Sequence, residues 1–103
     1  MSIYEGTDKT MPGVYAAIKS GIIGYSRYLA CVYGKNGIRV NCISPGGIQD
    51  KSMSKAFIKN YVKNVPLGRM ATAYDVAHAC KFLSEAKYIT GINLMIDGGW
   101  TAK

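Results

Sequence analysis

Residues 38–48 read IRVNCISPGGI. The first seven combine β-branched side chains with brevity, which predicts a short strand. Pro45-Gly46-Gly47 ends that strand abruptly, since proline cannot continue a ladder and glycine lets the backbone turn and bring exposed amides close to a ligand. A strand this apolar is expected to be covered on both faces, as in a parallel α/β sheet. Ligands of such sheets bind beyond the carboxyl ends of the strands, so PGGI marks one wall of a candidate site.

On the N-terminal side, VYAAIKSGIIGYSRYLACVY (residues 14–33) carries Ile18, Ile22, Tyr25 and Leu29 at helical spacing. Gly34 is the expected stop of this helix, and GKNG a turn. The preceding MSIYEGTDKTMPG is polar and carries Gly6, Pro12 and Gly13, so it reads as a loop. On the C-terminal side, a lysine-rich helix is expected over residues 52–63 and VPLGRM interrupts it. A third helix, from about Ala73 to Leu83, has Thr72 as N-cap and Asp75 in its first turn, where a carboxylate complements the helix dipole. INLMID is a second strand, closed by GGW. The order is helix, strand, helix, helix, strand, and a two-stranded sheet is too thin to hide its own apolar faces. The 103 residues therefore read as a single incomplete domain, one end of a larger fold, with no internal repeat or linker.

Composition excludes several classes. With 49% hydrophobic and 18% charged residues the chain is built for a globular domain, not a disordered tail. Thirteen Lys and Arg against six Asp and Glu give +7. Lys51, Lys55, Lys59 and Lys63 recur every four residues, which reads first as a solvated helix face, with a nucleic-acid or acidic-partner surface as the alternative. Cys31, Cys42 and Cys80 lie tens of residues apart, with His78 the one histidine. Neither a zinc site nor a disulfide framework follows, and the thiols are expected to be reduced and mostly buried. No apolar stretch nears the roughly 20 residues of a bilayer span and no signal-peptide core is present, so the expected compartment is the cytoplasm and no membrane partner is expected. His78 and Trp100 read as packing or surface residues.

YAAIK (residues 15–19) places a tyrosine and a lysine one helical turn apart on one face. Free tyrosine, with a pKa of about 10, exchanges protons poorly at neutral pH, and a nearby ammonium favours the phenolate. The pair gains weight from the strand and turn that follow it in the chain.

Four signals occur in order: Y-x-x-x-K, G-I-R-V-N-x-x-x-P-G, P-L-G-R and Y-I-T-G-x-x-L-x-x-D-G-G. Together, over nearly the whole chain from Tyr15 onward, they resemble the C-terminal part of the short-chain dehydrogenases/reductases. The resemblance implies the C-terminal part of a Rossmann-like doubly wound parallel sheet that lacks the N-terminal βαβ half. It implies an NAD- or NADP-dependent oxidoreductase interconverting a small-molecule alcohol and carbonyl by hydride transfer. Tyr15 would be the general acid/base. Lys19 would hold the nicotinamide ribose hydroxyls and favour the Tyr15 phenolate. Pro45, Gly46 and Ile48 would line the nicotinamide, with the Ile48 backbone addressing its carboxamide, and Gly47 would border the substrate. Asn41 and Asp97-Gly98-Gly99 would brace strands and turns. Tyr25, Tyr28 and Tyr33 would pack or lie at a subunit interface, the full-length form being a homo-oligomer. The alternative is a small basic binding or regulatory module that keeps part of the fold without the chemistry.

There are departures from the family pattern. The family's Gly-rich dinucleotide fingerprint and its catalytic asparagine precede the tyrosine, and nothing in this chain supplies them, so the chain alone is expected to be inactive. Ser2 has the spacing of the family's serine, yet IYEGTDKTMP resembles the longer loop of members tied to surface-sugar or flagellin modification, where that serine lies further upstream. Asp50 stands where a threonine commonly follows the P-G-x-I motif.

Overall fold

The computed structural model describes residues 13–103; Ser2 and the loop expected before Gly13 lie outside them. The described elements are α1 (Gly13–Tyr33), β1 (Cys42–Pro45), α2 (Lys55–Val62), α3 (Ala73–Glu85) and β2 (Asn93–Ile96), with short 3-10 turns at Gly34–Asn36 and Trp100–Ala102. This is the order read from the sequence. β1 and β2 form a two-stranded sheet. Its register is constant at both ends: the Cys42 N–H donates to Ile92 O at 2.9 Å and the Gly46 N–H to Ile96 O at 3.1 Å. Equal offsets in the same direction define a parallel pair.

The chain divides into two compact units, one running to Cys42 and including Ile89–Asn93, the other comprising Ile43–Tyr88 and Leu94–Lys103. In the first, α1 ends at Tyr33, so it stops at Gly34 as expected. That residue opens the 3-10 turn, and Gly37, at φ 76°, takes the left-handed conformation while its N–H returns to Gly34 O. Only a residue without Cβ reverses the chain there cheaply, so Gly37 closes the turn that follows the helix. Ala30 is buried, and a Cβ on Gly91 would sit 3.4 Å from its methyl group, so small residues on both sides let α1 approach the 89–93 turn. Residues 38–41, expected as strand, are tied mainly by side chains. The Asn41 amide donates to Ile89 O at 3.0 Å and accepts from the Ile92 N–H at 3.2 Å, and the Val40 N–H donates to Thr90 Oγ1 at 3.0 Å.

In the second unit the buried apolar residues are Val65, Met70, Ala79 and Leu83, beside buried Ser44. At about 1.5–3 kcal/mol for a fully buried aliphatic side chain, this small set gives the unit only a modest hydrophobic reserve. Both strands are half-buried over most of their length, not covered on two faces as expected. Helix α3 begins as predicted, at a capping box: the Asp75 N–H donates to Thr72 Oγ1 at 3.3 Å and the Thr72 N–H to the Asp75 carboxylate at 2.8 Å. The lysine-rich segment is shorter than expected. The Asp50 carboxylate accepts from the Ser52 N–H at 2.7 Å and from the Ser52 hydroxyl, which turns the chain before Ser54 caps α2. Lys51 thus lies in a turn, and Lys55 and Lys59 alone of the four are within the helix.

Several apolar side chains are open to solvent. On α1, Ile18 is 59% and Tyr25 62% exposed, and Tyr28 and Tyr33 are exposed too. Cys31 and Cys80 are exposed and Cys42 half-buried, and none of the three forms a disulfide. The expectation of mostly buried cysteines therefore fails: Cys31 and Cys80 lie on helix faces that no other described element covers. No described helix is long and apolar enough to cross a membrane.

Candidate active site

Tyr15 and Lys19 stand on the first two turns of α1, in the first unit. The spacing of four does what the helix period dictates: the Lys19 ammonium lies over the Tyr15 ring, 5.4 Å from its centroid. Tyr15 is 38% exposed, so its hydroxyl is reachable from solvent or by a ligand.

Pro45, Gly46, Gly47 and Ile48 belong to the turn that leaves β1 in the second unit. The two glycines are needed for different reasons, and neither has a positive φ. A Cβ on Gly46 would come within 3.1 Å of the Asp97 Cα, so glycine lets the ends of the two strands close up. A Cβ on Gly47 would lie 2.6 Å from Tyr61 Cζ and 2.7 Å from its hydroxyl. At Gly47 the glycine makes room for Tyr61.

The amides of the turn are therefore mostly engaged, contrary to the reading that they face a ligand. The Gly46 N–H is used by Ile96 O, and the Gly47 N–H donates to the Tyr61 hydroxyl at 2.7 Å. Ile48 differs. It forms an isolated parallel bridge with Ala71, made by the Gly47 carbonyl (from the Ala71 N–H, 2.9 Å) and the Gln49 N–H (to Ala71 O, 2.9 Å). In a parallel bridge the flanking residues supply the bonds, so the N–H and C=O of Ile48 itself point away from Ala71.

Tyr61 was not singled out from the sequence. Its ring stacks on Trp100 with centroids 4.9 Å apart and on Phe57 at 6.1 Å. Trp100 is held in turn by the D-G-G turn. The Asp97 carboxylate accepts from the Gly99 N–H (3.0 Å), the Thr101 N–H (3.0 Å) and the Thr101 hydroxyl (2.6 Å). These bonds, the Thr101 hydroxyl first, hold the Asp97 carboxyl below the usual carboxylate range. The signal for Tyr61 was present: a second glycine after Pro45, followed fourteen residues on by the aromatic of an amphipathic helix.

Gly46, Gly47 and Tyr61 line an open cleft of about 600 Å³. Its lining also includes Val65, Leu67, Phe82, Leu94 and Ile96, with Arg69, Asp75 and His78 as polar members. Arg69 and Asp75 form a bidentate pair at 2.8 and 3.1 Å. With the Thr72 N–H, that pair holds the Asp75 carboxyl well below the ordinary range. His78 is a surface residue, its Nδ1 3.4 Å from the Tyr74 hydroxyl. Among the described residues no group of His, Cys, Asp and Glu could hold a metal ion.

The family model described as enoyl-(acyl carrier protein) reductase matches residues 2–101. A 3-oxoacyl-[acyl-carrier-protein] reductase of Rattus norvegicus is 46% identical over 85 residues, covering 82% of this chain and 36% of that protein. A short-chain dehydrogenase from Leptospira borgpetersenii, solved with bound NAD+, superimposes with a TM-score of 0.85 at 48% identity, covering 97% of this chain and 40% of its own. ElxO with NADP bound gives a TM-score of 0.79 at 28% identity, covering 87% and 40%. The chain belongs to the short-chain dehydrogenase/reductase family, and its architecture is part of that family's Rossmann fold. It spans little more than a third of the length of the curated relative.

Proposed function

We propose that the chain carries the proton-transfer pair and part of the nicotinamide wall of an NAD- or NADP-dependent oxidoreductase that interconverts an alcohol and a carbonyl. The observation that carries this reading is the Lys19 ammonium over the Tyr15 ring, 5.4 Å from its centroid, in a chain whose relatives include a reductase, a dehydrogenase solved with NAD+ and ElxO solved with NADP. In the reducing direction the Tyr15 hydroxyl gives its proton to the carbonyl oxygen, and in the oxidising direction the phenolate takes one from the alcohol. Lys19 stabilises the phenolate by its charge and offers ammonium donors to the hydroxyls of a nicotinamide ribose.

The turn after β1 fits a nicotinamide at one point in particular. The Ile48 N–H and C=O, turned away from Ala71, form a donor and an acceptor side by side, which is what a carboxamide requires. Pro45 and Gly46 supply the adjoining apolar surface, and Gly47 borders the substrate. The cofactor, when bound, supplies or accepts the hydride. The pyrophosphate has no counterpart in the chain's Gly-rich turns, so we propose that these residues alone bind neither NAD nor NADP with useful affinity.

The test is a hybrid in which the matching segment of the rat reductase is replaced by residues of this chain. In that hybrid, Lys19→Met should weaken cofactor binding and turnover together. Unchanged values for both would remove Lys19 from the site.

A further inference from the structure

Tyr61 is placed by more contacts than its packing requires. Its ring stacks with both Trp100 and Phe57, and its hydroxyl accepts the Gly47 N–H at 2.7 Å. A phenol hydroxyl has one proton and two lone pairs. The Gly47 amide uses a lone pair, and among the described residues no acceptor takes the proton. The residue is half-buried and borders the cleft next to Gly46 and Gly47. A glycine at position 47, where φ does not demand one, is what admits the ring. The result is a hydroxyl held on a stacked aromatic ring, with one lone pair engaged and, among the described residues, no acceptor for its proton.

We propose that Tyr61 is a substrate-binding residue, whose hydroxyl donates to an oxygen of the bound carbonyl compound beside Gly47. This rests on the oxidoreductase reading above and adds to it the group that receives the substrate on the α2 side. Accepting the Gly47 N–H also polarises the Tyr61 O–H, so it is a better donor than a free phenol.

The test uses the chain itself and acetoacetyl-N-acetylcysteamine, a small 3-oxoacyl thioester, followed by amide NMR. The probe should shift the Gly47 signal in the wild type. Tyr61→Phe keeps the ring and its stacking and removes only the hydroxyl, so Trp100 fluorescence should be unchanged while the dissociation constant rises about three- to tenfold, the range of one net hydrogen bond. Gly47→Ala, which drives a Cβ into the ring, should weaken binding as much or more. Equal affinity of wild type and Tyr61→Phe within twofold, or a Gly47 signal that the probe leaves unmoved, overturns the proposal. Because no turnover is measured, the outcome is separable from the oxidoreductase reading: loss of probe binding in Tyr61→Phe stands even where hydride transfer fails, and hydride transfer can stand where Tyr61→Phe changes nothing.

Discussion

Gly98→Ala should destabilise the chain for two separable reasons. Gly98 has φ 64°, where an added Cβ costs about 1–2 kcal/mol. That Cβ would also meet Val65 Cγ1 at 2.7 Å, and Val65 is buried, so relieving the clash costs about 1–3 kcal/mol more. The expected total is about 2–5 kcal/mol, a large part of the roughly 5–15 kcal/mol that holds an ordinary domain folded. Gly68 is the internal control: its φ of 72° is similar, yet nothing lies within 4 Å of its added Cβ, so Gly68→Ala should cost only the conformational part. Urea unfolding of the two variants measures the difference. Val65→Ala removes the methyl that Gly98→Ala strikes, so the double variant should be less destabilised than the sum of the singles. Equal losses for Gly68→Ala and Gly98→Ala within about 0.5 kcal/mol, or simple additivity with Val65→Ala, would refute the packing assigned to the D-G-G turn.

Stability should fall with acid in a defined direction. The Asp75 and Asp97 carboxyls lie below their ordinary values in the folded chain, so their contribution is fully present above about pH 4 and lost as pH drops through the folded values. Asp75→Asn should flatten that acid limb in a pH series of thermal melts, and an unchanged limb would contradict the Arg69 pairing. Thr72→Ala removes the cap of α3 and should cost about 0.5–2 kcal/mol by urea unfolding; a neutral result would show the capping box to be dispensable. Calorimetry of the chain with NAD and with NADP should show no micromolar binding, and a micromolar constant for either would overturn the proposal that too little of the cofactor cleft is present.

The parts of the fold legible in the sequence are those fixed by local chemistry. Thr72 and Asp75 announced the start of α3, because a hydroxyl and a carboxylate three residues apart satisfy free amides wherever a helix begins. Asn41 and Asp97 were read as braces, and both bond backbone amides of a turn or strand end. Where local chemistry competed, a boundary moved: Asp50 and Ser52 turned the chain before the lysine-rich helix could start.

Contacts set by packing were not legible. Gly47 and Gly46 read alike as flexible residues, yet one yields to Asp97 and the other to Tyr61. No local pattern distinguishes them, because the neighbour that matters arrives from another element. For the candidate site, the residue types were readable: Tyr15 and Lys19 share a face as their spacing demands. The engagement of the turn's amides was not, since it depends on which strand and which helix reach Gly46 and Gly47.

The proposed proton role of Tyr15 is tested most directly by Tyr15→Phe in the rat-reductase hybrid, measured as hydride transfer to a 3-oxoacyl thioester alongside cofactor affinity. Removing the hydroxyl should lower turnover by about a hundredfold or more while cofactor binding stays nearly intact. Turnover within tenfold of the parent hybrid would contradict it.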